Sequence, residues 1–270
     1  MIKNRIEELM EQLNQNAIVE VLGVVQPSGA NGGCMGKEGK WILTFTFEVW
    51  KYANSEIQNR KLTIRKSVSN EELNLAMRQI RAFGVIRIRA RVAEQNVLGK
   101  PQGLLIELIG KDTSDAELNQ FALKLQEPVT FEDARFGIFT LDRRVNWYEA
   151  KIPWGLTNIR LHLETNDPEE FKRTLTYAHT LWDSRESWTE RMVNFAAKKL
   201  LGILNENWLG EGEEELSAEQ FKSKIKLESI SIESDGNFEF WYEDDGLFGG
   251  HAIKVGGDFS DGPKDAGIEG

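Results

Sequence analysis

The chain is poor in the residues that mark secreted, metal-binding and membrane proteins. It has one cysteine, Cys34, which excludes an internal disulfide and agrees with a reducing, cytoplasmic compartment. No apolar run approaches the about 20 residues that a membrane helix needs, so we expect no membrane contact. Its three histidines, His162, His179 and His251, show no spacing typical of zinc sites. The sequence therefore predicts no catalytic residue, no metal site and no cofactor.

Charge is distributed unevenly along the chain. Residues 1–112 contain 16 Lys+Arg and 12 Asp+Glu, a balance of +4, whereas residues 113–270 contain 17 and 31, a balance of −14. Net charge governs association rather than fold, so this asymmetry indicates two domains with different partners. We expect domains at 1–112 and 131–270, joined by a linker at 113–130 that contains a short helix begun by Ser114 and ended at Pro128.

The first domain has the element order of a small barrel. The run WILTFTFEVW alternates apolar and polar residues, which is typical of a half-buried strand. Ser69 and Glu72 form a capping box, which predicts the start of a helix. Strands are expected at 17–26, 41–50, 61–68, 85–94 and 103–110. Three strands, a helix and two strands predict an all-β, OB-like five-stranded barrel with one helix.

Barrels of this type often bind single-stranded nucleic acid, through bases stacked on aromatic side chains beside a basic groove. Here the candidate contacts are four arginines and a tryptophan: Arg65, Arg87, Arg89, Arg91 and Trp50. The alternative is that outward positions of a strand are simply charged, because the intervening positions fill the core. Single-stranded nucleic-acid binding is therefore an alternative function.

A glycine-rich segment, PSGANGGCMGKEGK at 27–40, lies between the first two predicted strands. Phosphate-binding loops are also rich in glycine, but the Walker spacing is missing and no Ser or Thr follows the lysine. We therefore predict a long, mobile connecting loop.

The second domain mixes strands with helices. Asp167-Pro168 is a typical helix start, and Ser217 with Gln220 indicates another. Strands are expected before the helices and again after them, with a hairpin turn at Asp235-Gly236-Asn237. This order predicts an α+β domain with an antiparallel sheet and helices on one face.

Two stretches of this domain carry a resemblance to a known family. The runs FGIFTLDRRVNWYEAKIPW and SISIESDGNFEFWYEDDGLFGGHAIKV resemble the bacterial domain-of-unknown-function family numbered 2262. The resemblance covers about residues 130–270, and DGLFGGHAI is its most specific part. It implies a bacterial origin and an α+β domain without an assigned activity or site.

Composition favours a binding protein over an enzyme. The acidic second domain would associate quickly with a basic protein partner, in an immunity-like or regulatory role. The candidate contacts lie in or beside the family stretch and are Asp244, Asp245, His251 and Trp241. A second alternative is a hydrolase with its site near His251 and Asp245.

Overall fold

The computed structural model describes residues 2–35, 40–165, 167–210 and 212–270. The chain forms two compact units, the barrel unit Met1–Glu127 and the sheet unit Pro128–Gly270. With this boundary the barrel unit has 17 Lys+Arg and 15 Asp+Glu, and the sheet unit has 16 and 28. The acidic excess therefore belongs to the sheet unit. Among the described residues, no helix has the length and apolar character to span a membrane.

The barrel unit contains three helices and five strands in its described part. In chain order they are α1 (Ile2–Gln15), β1 (Ile18–Met35), β2 (Lys40–Tyr52), β3 (Leu62–Val68), α2 (Asn70–Gln79), β4 (Val85–Ala93), β5 (Gln102–Lys111) and α3 (Ala116–Gln126). Helix α2 begins at the predicted capping box, in which the Ser69 hydroxyl accepts the Glu72 N–H.

The five strands close on themselves in the order β1-β2-β3-β5-β4, and β4 pairs with β1. Closure is uneven, because β3 and β5 run parallel over three residue pairs only, from Thr63 to Arg65. The other four junctions are antiparallel and longer. A five-stranded sheet with a helix between its third and fourth strands is therefore present.

The glycine-rich segment forms a strand where a loop was expected. Residues 27–35 lie within β1, and the part from Ala30 onwards pairs with β2 as far as Met35 opposite Lys40. The prediction of a loop over 27–35 is therefore wrong, and positions 36–39 lie outside the described residues. Pairing with the strongly alternating β2 outweighs the low strand propensity of glycine, and Gly32 lets the backbone approach Leu73 closely.

The segment expected to be a linker contains the expected short helix, α3. The Asp115 side chain caps α3 by accepting the Leu118 N–H, a position one residue after the expected Ser114. Leu118 and Ala122 are buried against Leu22 and Val24 of β1. Because α3 packs on the barrel, the structure places residues 113–127 within the first unit.

The sheet unit contains eight strands and three helices in its described part. They are β6 (Thr130–Asp133), β7 (Gly137–Asp142), β8 (Trp147–Trp154), β9 (Thr157–Leu163), α4 (Pro168–Asp183), α5 (Arg185–Asn207), α6 (Ala218–Lys224), β10 (Lys226–Ile232), β11 (Asn237–Glu243), β12 (Ala252–Asp258) and β13 (Gly262–Glu269). The predicted caps at Asp167 and Ser217 are both present.

Neighbouring strands of this sheet follow chain order from β13 to β6. The expectation of an antiparallel sheet is wrong at one junction, because β9 and β10 are parallel, with Ile230 opposite Leu161. The cause is the connection between them. The helices α4, α5 and α6 return the chain to the end of the sheet where β9 begins, and such a crossover makes the two strands parallel.

Alternation along the strands separates an apolar from a polar side of the sheet. Side chains such as Leu161, Ile230 and Phe240 stand in one row of the register and are buried. Buried residues of the helices, including Phe171 and Met192, join the same core. The helices therefore cover the apolar side, and the intervening residues of each strand face away from this core.

A tight contact between Gly23 and Phe47 gives a test of the barrel packing. A Cβ at Gly23 would collide with the fully buried Phe47 ring, whereas a Cβ at Gly33 in the same strand would meet open space. We expect Gly23→Ala to destabilise the barrel unit by about 1–3 kcal/mol. Amide hydrogen exchange of β1 and β2 in the full chain measures this effect. Equal protection in Gly23→Ala and Gly33→Ala would contradict the packing.

Candidate functional site

The side of the sheet turned away from the helices carries polar and aromatic side chains from five neighbouring strands or their ends. We call it the polar sheet face and define it by Trp147, Glu149, His162, Glu164, Ser231, Glu233, Glu239, Trp241 and Lys254. The register places Glu149 opposite His162, His162 opposite Ser231, and Ser231 opposite Glu239. Strand pairing therefore gathers residues that are far apart in the sequence.

His162 lies at the centre of this face and is buried. The Trp147 indole stacks on its ring, with centroids 4.5 Å apart and an interplanar angle of 9°. Its Nε2 lies 3.1 Å from a carboxylate oxygen of Glu149, and its Nδ1 lies 3.4 Å from the Ser231 hydroxyl. Burial lowers the pKa of His162 below its ordinary value of 6.5, against the opposing effect of Glu149. The imidazole is therefore neutral at pH 7.

Two glutamates beside this centre carry uncompensated charge. Burial raises the pKa of Glu164, and Glu239 raises it further, although a hydrogen bond from Ser231 opposes the shift. Burial also raises the pKa of Glu233, together with the charges of Asp235, Glu164 and Glu239. Neither Glu164 nor Glu233 has a Lys or Arg ion-pair partner among the described residues. Their charges therefore repel one another on the folded protein.

Trp147 has a second unusual feature. Its indole N–H is buried and has no hydrogen-bond partner within the part of the chain that the structure describes. Buried polar groups are normally paired, so an unpaired donor is uncommon in a folded protein. Trp147 lies on the same face of the sheet as Glu164 and Glu233.

The opposite part of the polar sheet face is electrostatically balanced. The Lys254 ammonium lies 5.6 Å from the centre of the Trp241 ring, 3.5 Å from Glu239 and 3.2 Å from Glu269. The Trp241 indole also donates to Glu239 at 3.1 Å. Of the four predicted partner contacts, Trp241 is the one that belongs to this face.

Asp244, Asp245 and His251 lie on the turn between β11 and β12. Burial alone would raise the pKa of Asp244, but the N–H groups of Phe248, Gly246 and Gly250 bind its carboxylate and lower the pKa overall. Asp244 therefore stabilises the turn. The exposed Asp245 pairs with Lys226 at 3.3 Å, and His251 Nδ1 donates to the Phe248 carbonyl at 2.6 Å.

Two of the four arginines predicted to contact nucleic acid, Arg87 and Arg89, form ion pairs with acidic side chains. Arg87 lies 2.7 Å from Asp112, and Arg89 lies 3.1 Å from Glu107. Glu20 lies 3.4 Å from both arginines. These carboxylates offset the positive charge that would attract a phosphate backbone.

The remaining predicted nucleic-acid contacts also have partners within the chain. Arg65 donates to the Gln102 side chain, and Arg91 donates to the Asn16 carbonyl. Trp50 is fully buried, and its indole donates to the Arg60 carbonyl at 2.9 Å. A base cannot stack on Trp50 in this position, so the structure does not support its predicted role.

His179 and Asp183, which lie four residues apart on α4, contact different residues. His179 lies 3.0 Å from Asp133, and Arg135 lies 2.6 Å from Asp183. Within the described ranges, no group of three or more His, Cys, Asp or Glu residues is arranged to hold a metal ion.

Comparison with known proteins gives family matches without an activity. Residues 133–268 match a family described as "Uncharacterized protein conserved in bacteria (DUF2262)". Residues 6–125 match "Domain of unknown function (DUF7021)". A search of curated proteins finds no match. The match over 133–268 confirms the resemblance seen in the sequence of the second half.

The electrostatics of His162 can be tested directly. Because its folded pKa lies below the ordinary value of 6.5, its contribution to stability is complete above that pH and is lost as the pH falls. We expect Glu149→Gln to lower the pKa of His162 further, because it removes the negative charge that opposes the effect of burial. Titration of the imidazole protons by NMR measures the pKa of His162 in the wild type and in the variant. The control is Glu228→Gln, which removes a weaker influence, and an equal effect of both variants would contradict the contact.

Proposed function

The chain belongs to the DUF2262 family, and we propose that it is a cytoplasmic protein-binding module that docks a cationic segment of a partner protein on the polar sheet face. The observation that carries this proposal is the pair of carboxylates, Glu164 and Glu233, whose pKa values are raised and which lack an ion-pair partner among the described residues. Positive charge from a partner would relieve their repulsion.

Charge complementarity favours a cationic partner over other occupants. The sheet unit has 28 acidic and 16 basic side chains, so its long-range field attracts positively charged proteins and repels nucleic acid. The polar sheet face adds two tryptophans, a residue type enriched at binding hot spots. A basic toxin held by an immunity-like protein would meet this description.

For the barrel unit we propose an OB-like fold. The strand order β1-β2-β3-β5-β4, the antiparallel pairing of β4 with β1 and the helix between β3 and β4 support it. Fold alone does not assign function. Single-stranded nucleic-acid binding by the barrel unit is the alternative function, and the carboxylates that engage Arg87 and Arg89 weaken it.

A hydrolase centred on His251 is the second alternative function. Asp245 is paired with Lys226, and His251 Nδ1 is bonded to the backbone of its own turn. These contacts stabilise the turn and identify no nucleophile beside the imidazole, so we do not extend the proposal to catalysis.

The test uses the full chain and a short labelled peptide of alternating lysine and serine. We expect the double variant Glu164→Gln/Glu233→Gln to bind the peptide about tenfold more weakly, because two attractive charges are lost. The control Glu206→Gln/Glu214→Gln removes the same charge from exposed positions outside the polar sheet face and should retain wild-type affinity within about twofold.

Stability should change in the opposite direction to affinity. A carboxyl group whose folded pKa is raised above its ordinary value of 4.5 costs stability once the pH exceeds that value. The double variant should therefore melt at a higher temperature than the wild type at pH 7, and this difference should disappear below about pH 4.

In the peptide-binding test, wild-type affinity of the Glu164→Gln/Glu233→Gln variant would refute the proposed docking face.

A further inference from the structure

The barrel unit has a cleft of about 620 Å³ between α3 and the segment that joins β2 to β3. Its floor contains Ile57 and Phe121, which are half-buried and pack against a buried apolar cluster of the barrel. Pockets that bind small molecules have apolar linings of this kind and volumes of about 300–1,000 Å³. The cleft therefore has the size and the lining of a small-molecule site.

Both walls of the cleft are held against the barrel. In the joining segment, Gln58 exchanges two backbone hydrogen bonds with Trp50, and the Trp50 indole donates to the Arg60 carbonyl at 2.9 Å. At the start of α3, Asp115 forms an ion pair of 2.5 Å with Lys51 of β2. A ligand therefore enters a preformed cleft, and its binding does not carry the entropic cost of ordering the walls.

The wall that α3 forms carries opposite charges at its two ends. Glu117, Phe121 and Lys124 all line the cleft from this helix, with the aromatic residue between the two charged ones. Seven positions separate Glu117 from Lys124, which is about 10.5 Å along a helix. Neither side chain forms an ion pair with another described residue, so both charges are available to a ligand.

The other polar side chains of the cleft are two amides and a further carboxylate. Asn59 lies on the joining segment and Gln120 on α3, and neither side-chain amide is hydrogen-bonded within the described part of the chain. Such an amide has both a donor and an acceptor, the two groups that pair with a peptide bond. Glu56 adds a carboxylate on the wall opposite α3. The cleft therefore offers groups of both charges, amides and an apolar floor.

We propose that the cleft binds a short apolar peptide, about three residues long, with free termini. Three extended residues span about 10–11 Å, which matches the separation of the two charges along α3. The peptide ammonium lies at Glu117, the carboxylate lies at Lys124, and an apolar side chain packs on Phe121. Charges of both signs favour such a zwitterion over a nucleic-acid strand, which would bring one sign only. The site lies in the barrel unit, so the docking function of the sheet unit does not depend on it.

The probe is the tripeptide alanine-leucine-alanine, titrated into the full chain by isothermal titration calorimetry. We expect amidation of its C terminus to weaken binding to the wild type about threefold to fivefold, because the charge that pairs with Lys124 is lost. Lys124→Met keeps an unbranched, helix-forming side chain without the ammonium, so amidation should have no effect on binding to this variant. The control Lys100→Met changes an exposed position outside the cleft and should behave as the wild type does.

The other end of the peptide tests its orientation. Acetylation of the N terminus should weaken binding to the wild type about threefold to fivefold, and it should matter less in Glu117→Gln, where Glu56 is the remaining carboxylate. The control Glu71→Gln, at an exposed position on α2, should retain the full effect of acetylation.

The position of the bound peptide has its own readout. The side-chain amide signals of Asn59 and Gln120 should shift in NMR spectra as the tripeptide is added. Absence of binding at millimolar tripeptide would overturn the site. An equal effect of amidation in the wild type and in Lys124→Met, or of acetylation in the wild type and in Glu117→Gln, would also overturn it.

Discussion

The sheet unit depends on the two-residue repeat of its strands. One set of alternate side chains, with Leu161, Ile230 and Phe240 at its centre, is buried under α4 and α5. The same alternation obliges the intervening residues to share the other side of the sheet. Because several of these residues are glutamates, burial of the core brings like charges together.

The sheet unit tolerates neighbouring glutamates because burial of the core stabilises the fold far more than repulsion between their charges destabilises it. Each large apolar side chain of the core contributes about 1.5–3 kcal/mol when it is fully buried. Repulsion between partly exposed carboxylates costs only a few tenths of a kcal/mol to about 1 kcal/mol for each pair. The fold can therefore retain destabilising charges at Glu164 and Glu233, as proteins often do where binding requires them. The balanced site at Lys254 shows that the same sheet also stabilises such charges where a cation is present.

Local signals in the sequence predict much of the fold. They do not predict the features that depend on pairing between strands far apart in the chain. The capping boxes and Asp167-Pro168 act within a few residues, and the structure contains them as expected. Trp50 is a residue whose side of the strand these local signals do not predict. The register of β1 with β2 shifts between Val49 and Phe47, which reverses the alternation and places Trp50 inside the barrel. The polar sheet face was missed for a similar reason, since Glu164 and Glu233 become neighbours only through the parallel pairing of β9 with β10.

The central claim is that Glu164 and Glu233 carry charge that the folded chain does not compensate. Titration of their side-chain carboxyl carbons by NMR in the full chain, without any partner, tests it most directly. The account predicts that both carboxyl groups titrate above the ordinary value of 4.5 and that each pKa falls when the other glutamate is replaced by glutamine. Titration of both groups at or below that value would contradict it.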